Sequence, residues 1–189
     1  MVQIDQHVFT INNAISHDEC DILISYMRQW KTEGNNDIQF PWHEGNNRHW
    51  SQINDAEIKK LLTAYKFRLC HVVGSFYKEF VYPVFTDAVV WTPGKWMDAH
   101  ADNGDGTPGR EDLRNRKYTA VLYLNDDFIG GETFVLGDKG EKYFFKPVKG
   151  TALVLPSDER FLHGVETLAY GLRYTLPVWL SVNPTDCEF

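Results

Sequence analysis

The stretch WMDAHADNG, residues 96–104, sets His100 and Asp102 one residue apart. In an extended chain that spacing turns both side chains to one side, so an imidazole and a carboxylate could meet on a common metal ion. Such a pair is cheap. Seven histidines and fifteen aspartates in 189 residues yield about half a His-x-Asp by chance. His17-x-Glu19 has the same chemistry at the same spacing, but Ser16 with Glu19 three residues on is a capping box. That places the second pair in the first turn of a helix, where acids are favoured by the dipole.

What distinguishes His100 and Asp102 lies downstream. His163 falls on the penultimate strand of the sequence pattern, and Arg173 follows ten residues later on the last. Two imidazoles and one carboxylate on a common face suit ferrous iron and leave coordination positions open. A structural zinc would want a fourth protein ligand or thiolates. A guanidinium among apolar strands needs a carboxylate, because an unpaired buried charge is costly. No acid in its own strand provides one, whereas an incoming dicarboxylate would, through a bidentate pair.

The elements that must position these residues are legible as a change of texture. HVFTINNAI (7–15) alternates as a first strand, and the Ser16 box opens the helix CDILISYMRQW. A second capped segment starts at Asn54, with Glu57 three residues on, and runs to about Phe80. Its apolar positions Leu61, Leu62, Tyr65, Leu69, Val72, Val73 and Phe76 recur at helical spacing. From Pro83 onward eight β segments follow: 84–92, 96–102, 117–125, 130–136, 142–148, 150–156, 161–169 and 172–182. This order predicts a mainly β fold with flanking helices, a double-stranded β-helix (jelly-roll) core with the N-terminal helices packed on one sheet. We read one domain over 1–189, with 1–82 as helical support and 83–189 as the core.

Six Trp, nine Tyr and twelve Phe fit packed β architecture. A net charge of −7 argues against nucleic-acid and anionic-membrane partners. Cys20, Cys70 and Cys187 are widely spaced and form no C-x-x-C pair, as expected of ordinary thiols in a reducing compartment. The N-terminus lacks a basic and apolar leader pattern, and no apolar run reaches ~18 residues. The expected location is cytoplasmic.

With these residues in place, the chain resembles the prolyl 4-hydroxylase-like branch of the 2-oxoglutarate- and Fe(II)-dependent dioxygenases. The resemblance is carried by WTPGKWMDAHAD, KYTAVLYLND, GGETF, GTALVLPS and LHGVETLAYGLRYTLPVWL, with SHDECDILI near the start, and covers most of the chain. It implies iron held by His100, Asp102 and His163, which are also the catalytic centre. It implies Arg173 as the clamp on the far carboxylate of 2-oxoglutarate, with Tyr123 assisting and Thr119 and Trp179 lining the cosubstrate pocket. The cofactors implied are Fe(II), 2-oxoglutarate and O2, with ascorbate as reductant. The products implied are succinate, carbon dioxide and a hydroxylated substrate. Asp102 favours hydroxylation, because halogenating relatives lose this carboxylate. One departure stands out: many relatives have Tyr before the Pro-Gly turn where this chain has Trp91, which removes an expected hydrogen bond to the cosubstrate.

The implied substrate is a prolyl residue, oxidised at the 4-position, in a peptide or protein. The segments 32–53 and 103–116 are expected to flank the cavity mouth, with Trp42, Trp50 and Arg116 as substrate contacts and His43 and His49 as further loop candidates. Aromatic side chains suit a proline ring. Two alternatives stand beside this reading. One is the same chemistry on a free amino acid or other small metabolite; the other is a non-catalytic metal-binding β-barrel.

Overall fold

A computed structural model gives the structure, describing residues 2–3, 6–30, 32, 41–42, 45–105, 108–137 and 139–189. In chain order its elements are β1 (Val2–Gln3), β2 (Phe9–Ile11), α1 (His17–Met27), β3 (Asn47–His49), α2 (Ala56–Tyr77), β4 (Tyr82–Trp91), β5 (Met97–His100) and β6 (Tyr118–Tyr123). There follow β7 (Ile129–Gly130), β8 (Thr133–Leu136), β9 (Lys142–Phe145), β10 (Ala152–Pro156), β11 (His163–Val165), β12 (Leu168–Tyr170) and β13 (Arg173–Ser181). A seven-stranded sheet runs β1-β2-β10-β6-β13-β4-β3, a four-stranded sheet runs β5-β11-β8-β9, and β12 pairs with β7 in a small ribbon. The pairings are antiparallel, as a jelly roll requires.

Alternation along the central strands builds the layers. Tyr174, Leu176, Val178 and Leu180 of β13 share one face with Ala120 and Leu122 of β6, and pack against Leu23, Met27, Leu62, Tyr65, Leu69 and Val73 of the two helices. The intervening residues point the other way, between the sheets. There Tyr123, Leu153 and Leu155 meet Val135 of the smaller sheet, and Val89 and Trp91 meet Val165 and Leu168. Strand β13 is buried along its whole length because helices cover one face and the site covers the other.

The helices start and stop for local reasons. Ser16 accepts from the Glu19 amide while Glu19 accepts from the Ser16 amide, so the first capping box forms as expected. The second helix begins one residue later than the sequence suggests. Asp55, not Asn54, is the cap and accepts from the amides of Glu57 and Ile58. It ends at Tyr77, where Lys78 turns left-handed. The first strand is shorter than 7–15, and 142–148 stops at Phe145 before Pro147, which cannot donate to a ladder. Segment 161–169 divides into β11 and β12. The first belongs to the smaller sheet and the second to the ribbon with β7, where Gly130 and Gly131 both take positive φ. A Cβ at Gly130 would strike the Thr167 carbonyl, so this close approach needs glycine.

Segment 32–53 is not loop throughout. It contains β3, which pairs with Val89, Ala88 and Asp87 of β4, and a 3-10 turn at Trp50–Gln52. Phe40 and His43 lie outside the described residues. Trp50 is placed against α2: the Lys66 ammonium sits 3.5 Å from its ring centroid and 4.3 Å from that of Phe189. Lys66 is fully buried and pairs with Glu188 at 2.9 Å. Burial lowers the Lys66 pKa, and the Glu188 charge opposes that shift. Removing one member of such a pair strands the other. Glu188→Ala and Lys66→Met are each expected to lower the unfolding free energy in urea by about 3–5 kcal/mol, while the double variant Lys66→Met with Glu188→Leu loses much less than the sum.

Candidate metal centre and substrate cavity

Strand register brings the three candidate metal ligands, His100, Asp102 and His163, together. His163 on β11 lies directly opposite His100 on β5, and Asp102 follows two residues after β5 ends. The Nε2 atoms of His100 and His163 stand 3.2 and 3.1 Å from the two Asp102 carboxylate oxygens. One ligand atom from each of the three residues falls within 4.8 Å of the others. His100 Nδ1 donates to the Asp98 carbonyl at 2.8 Å and His163 Nδ1 to the Phe161 carbonyl at 3.2 Å. A carbonyl can only accept, so these contacts keep a ring proton on Nδ1 and turn both Nε2 atoms to the carboxylate, where they would become the ligand atoms of a bound metal.

Burial alone would raise the Asp102 pKa, but the His163 charge and hydrogen bonds from both imidazoles hold it well below the usual carboxylate range. For His100, burial acts to lower the pKa, and the Asp102 hydrogen bond and charge outweigh it to give a raised value. Asp102 is therefore ionised and ready to ligate. Thr119 Oγ1 donates to Asp102 Oδ2 at 2.6 Å and lies 2.8 Å from Ser157 Oγ. Thr119, expected as a lining of the cosubstrate pocket, holds the orientation of the carboxylate. Thr119→Val should weaken Fe(II) or Co(II) binding by about 10–100-fold in an absorbance titration, with Thr119→Ser retaining most of the affinity.

Three protein donors, two imidazoles and a carboxylate, fit Fe(II) and leave positions for a chelating cosubstrate. Arg173 fits the other end of that cosubstrate. Its side chain is 1% exposed, its Nη2 donates to Thr133 Oγ1 at 3.1 Å, and its buried Nε has no hydrogen-bond partner. No carboxylate pairs with it among the described residues, and burial pushes its pKa down to about 10. Tyr123 donates to the same Thr133 oxygen at 2.7 Å. The guanidinium carbon lies 4.8 Å from the Trp91 ring and 5.4 Å from the Tyr123 ring. Trp91 gives its indole proton to Thr175 at 3.2 Å, so its contribution to this corner is a stacking face. Thr133 was not singled out by its sequence. Its role depends on β8 lying beside β11, with Thr133 opposite Val165.

A cavity of about 630 Å³ opens beside His100 and Asp102. The larger sheet contributes Asn47, Phe85, Asp87 and Trp179 to it, and the 103–116 segment contributes Gly104, Arg110, Leu113 and Arg116. Trp42 lines it as well. Trp50 does not, and neither does His49, which bonds Ser51 and packs on Phe85 at 4.2 Å. Arg116 lies over Trp179 at 4.2 Å and Phe85 at 5.3 Å. Asp87 is the one buried acid on the larger sheet's wall of this cavity, and the sequence reading passed over it. Residues 85, 87, 89 and 91 share one face of β4, a parity that points Asp87 inward.

Comparison with known proteins agrees with this construction. Residues 80–181, just over half of the chain, match the family model of the 2OG-Fe(II) oxygenase superfamily. Prolyl 3-hydroxylase 1 of Gallus gallus is 33% identical over 75 residues, which is 39% of this chain and 10% of the relative. The chain thus spans about a tenth of the length of that curated relative. A crystal structure of a Pseudomonas putida prolyl-4-hydroxylase superposes with a TM-score of 0.67 at 18% identity, covering 94% of each chain. A Trichoplax adhaerens prolyl hydroxylase, in complex with a hypoxia inducible factor oxygen degradation domain peptide fragment, gives 0.67 at 17% identity over 94% of this chain and 84% of that one. Register, residue set and family match converge: the chain belongs to the 2OG-Fe(II) oxygenase superfamily.

Proposed function

We propose that this dioxygenase hydroxylates a prolyl residue, at the ring 4-position, within a peptide or protein. The observation that carries the reading is an aromatic-walled cavity opening directly on the His100–Asp102–His163 cluster. Relatives and fold neighbours named as prolyl hydroxylases support it.

His100, Asp102 and His163 would hold the iron, and Arg173, steadied by Thr133 and stacked between Trp91 and Tyr123, would hold the far carboxylate of 2-oxoglutarate. With both bound, they supply the oxidation of a C–H bond by O2, coupled to conversion of 2-oxoglutarate to succinate and carbon dioxide. The chain's own task is placement. Asp102 stays ionised under the two imidazoles, and Thr119 fixes its orientation. Tyr123 and Arg173 share one hydroxyl and close the inner end of the site to water. Trp42, Trp179 and Arg116 line the space where the ring and its neighbouring backbone would lie. Ascorbate would serve as reductant to keep the iron ferrous.

One observation favours a second substrate class. The cavity holds both a cation, Arg116, and an anion, Asp87, a complement that a zwitterionic free amino acid would also satisfy. A panel of proline-containing peptides and free amino acids, followed by mass spectrometry, tests the choice. Gain of one oxygen on a peptide, hydrolysed to 4-hydroxyproline, is the expected result. Oxidation of free amino acids alone would transfer the activity to the second class, and release of 3-hydroxyproline would move the oxidised carbon.

A further inference from the structure

Trp42 reaches the cavity from the segment joining α1 to β3, and among the described residues one polar contact holds it there. Its indole Nε1 donates to Asp87 Oδ2 at 2.8 Å. Its ring meets Trp91 edge-on, at 5.6 Å and 89°, beside the cluster of Val89, Trp91, Val165 and Leu168. Asp87 stands on β4, four residues before Trp91 and on the same face.

A carboxylate is an expensive choice for that position. Asp87 is 1% exposed, and burial raises its pKa against the hydrogen bonds of Trp42 and Asn47 and the charges of His49 and Arg116. A buried ion in this state costs stability, so a residue chosen for packing alone would be neutral. What the charge adds is a stronger hydrogen bond than a neutral acceptor makes. It fixes the indole of a residue whose other contacts among the described residues are with rings and apolar side chains.

We infer that Asp87 is a positioning residue for substrate: by holding the Trp42 indole it sets the cavity wall against which the oxidised group lies. It therefore governs substrate affinity while touching neither the metal ligands nor the 2-oxoglutarate clamp. Trp91 stands between the two regions, with Trp42 against its edge and Arg173 over its face. The choice of peptide as probe rests on the prolyl reading above.

The test uses the full chain with Asp87→Leu, Asp87→Asn and Trp42→Phe, assayed on an oxidised proline peptide from the panel. Asp87→Leu should raise the apparent KM for peptide about tenfold, the loss of one charge-assisted hydrogen bond. The kcat and the KM for 2-oxoglutarate should stay within about twofold. Trp42→Phe keeps a ring but removes the donor, so it should give a similar shift, and the double variant should add little to either. Asp87→Asn retains an acceptor and should recover part of the affinity. The Trp42 indole N–H resonance, assigned by its loss in Trp42→Phe, should move in both Asp87 variants. An unchanged peptide KM in Asp87→Leu, despite a displaced indole resonance, overturns the inference. So do additive effects in the double variant, or a 2-oxoglutarate KM that rises in step. If no proline peptide is oxidised, the prolyl reading fails by itself, and the same KM split is read on whichever substrate of the panel is turned over.

Discussion

Asp102→Ala is expected to abolish 2-oxoglutarate turnover while leaving a folded protein. The carboxylate is the only anionic ligand of the cluster, and both imidazole Nε2 atoms converge on it. Without it two imidazoles face each other at a ring separation of 4.7 Å, a weak site for a hard divalent ion. The loss in metal affinity should exceed the ~10–100-fold that follows loss of a mere supporting partner. The fold should survive because Asp102 lies at the edge of the cavity beyond β5, and neither sheet's core depends on it. Metal titration together with far-UV circular dichroism checks both halves. Retained turnover in this variant would show that the iron assignment is wrong.

Arg173→Met gives the second large effect, with a sign that separates binding from stability. Losing a charged clamp on a carboxylate costs about 2–5 kcal/mol, so the apparent KM for 2-oxoglutarate should rise by about 30-fold or more. Without cosubstrate, however, Arg173 is a buried cation with an unpartnered Nε. A methionine of similar length should then cost the ligand-free protein little, and replacing a stranded charge can even stabilise. Saturating 2-oxoglutarate at 100 times its Kd should stabilise the wild type by about 2.7 kcal/mol and the variant far less at the same concentration. Thermal melts of both proteins, with and without 2-oxoglutarate, measure this directly. A wild type indifferent to 2-oxoglutarate would remove Arg173 from the clamp.

The cluster of His100, Asp102 and His163 was legible because these residue types are chemically rare and their order along the strands is informative. Arg173 was legible because a cation in LRYTLPVWL has no partner in its own strand. Residues whose roles depend on register were not. Thr133 looks like any threonine of a strand until β8 lies beside β11 and brings its hydroxyl to Tyr123 and Arg173. Asp87 in VFTDAVVW shares the inward parity of Phe85, Val89 and Trp91, but its partner is visible only once the chain brings the Trp42 indole to it. Trp50 misled in the opposite way. An aromatic residue in a Gly- and Asn-rich segment suggests a substrate contact, yet here it roofs a buried lysine that helical spacing alone does not reveal. The layers of the fold were readable from alternation, while the division of 161–169 into two sheets depends on backbone contacts at Gly130 that no side-chain pattern encodes.

The central claim is that His100, Asp102 and His163, together with Arg173, form one site for Fe(II) and 2-oxoglutarate. Anaerobic addition of 2-oxoglutarate to the Fe(II)-loaded protein, followed by visible charge-transfer absorption, tests it most directly. The expected result is an absorption band that saturates at one iron per chain. The band should be lost in Asp102→Ala and should require much higher 2-oxoglutarate in Arg173→Met. A band of unchanged intensity and midpoint in both variants would contradict the account.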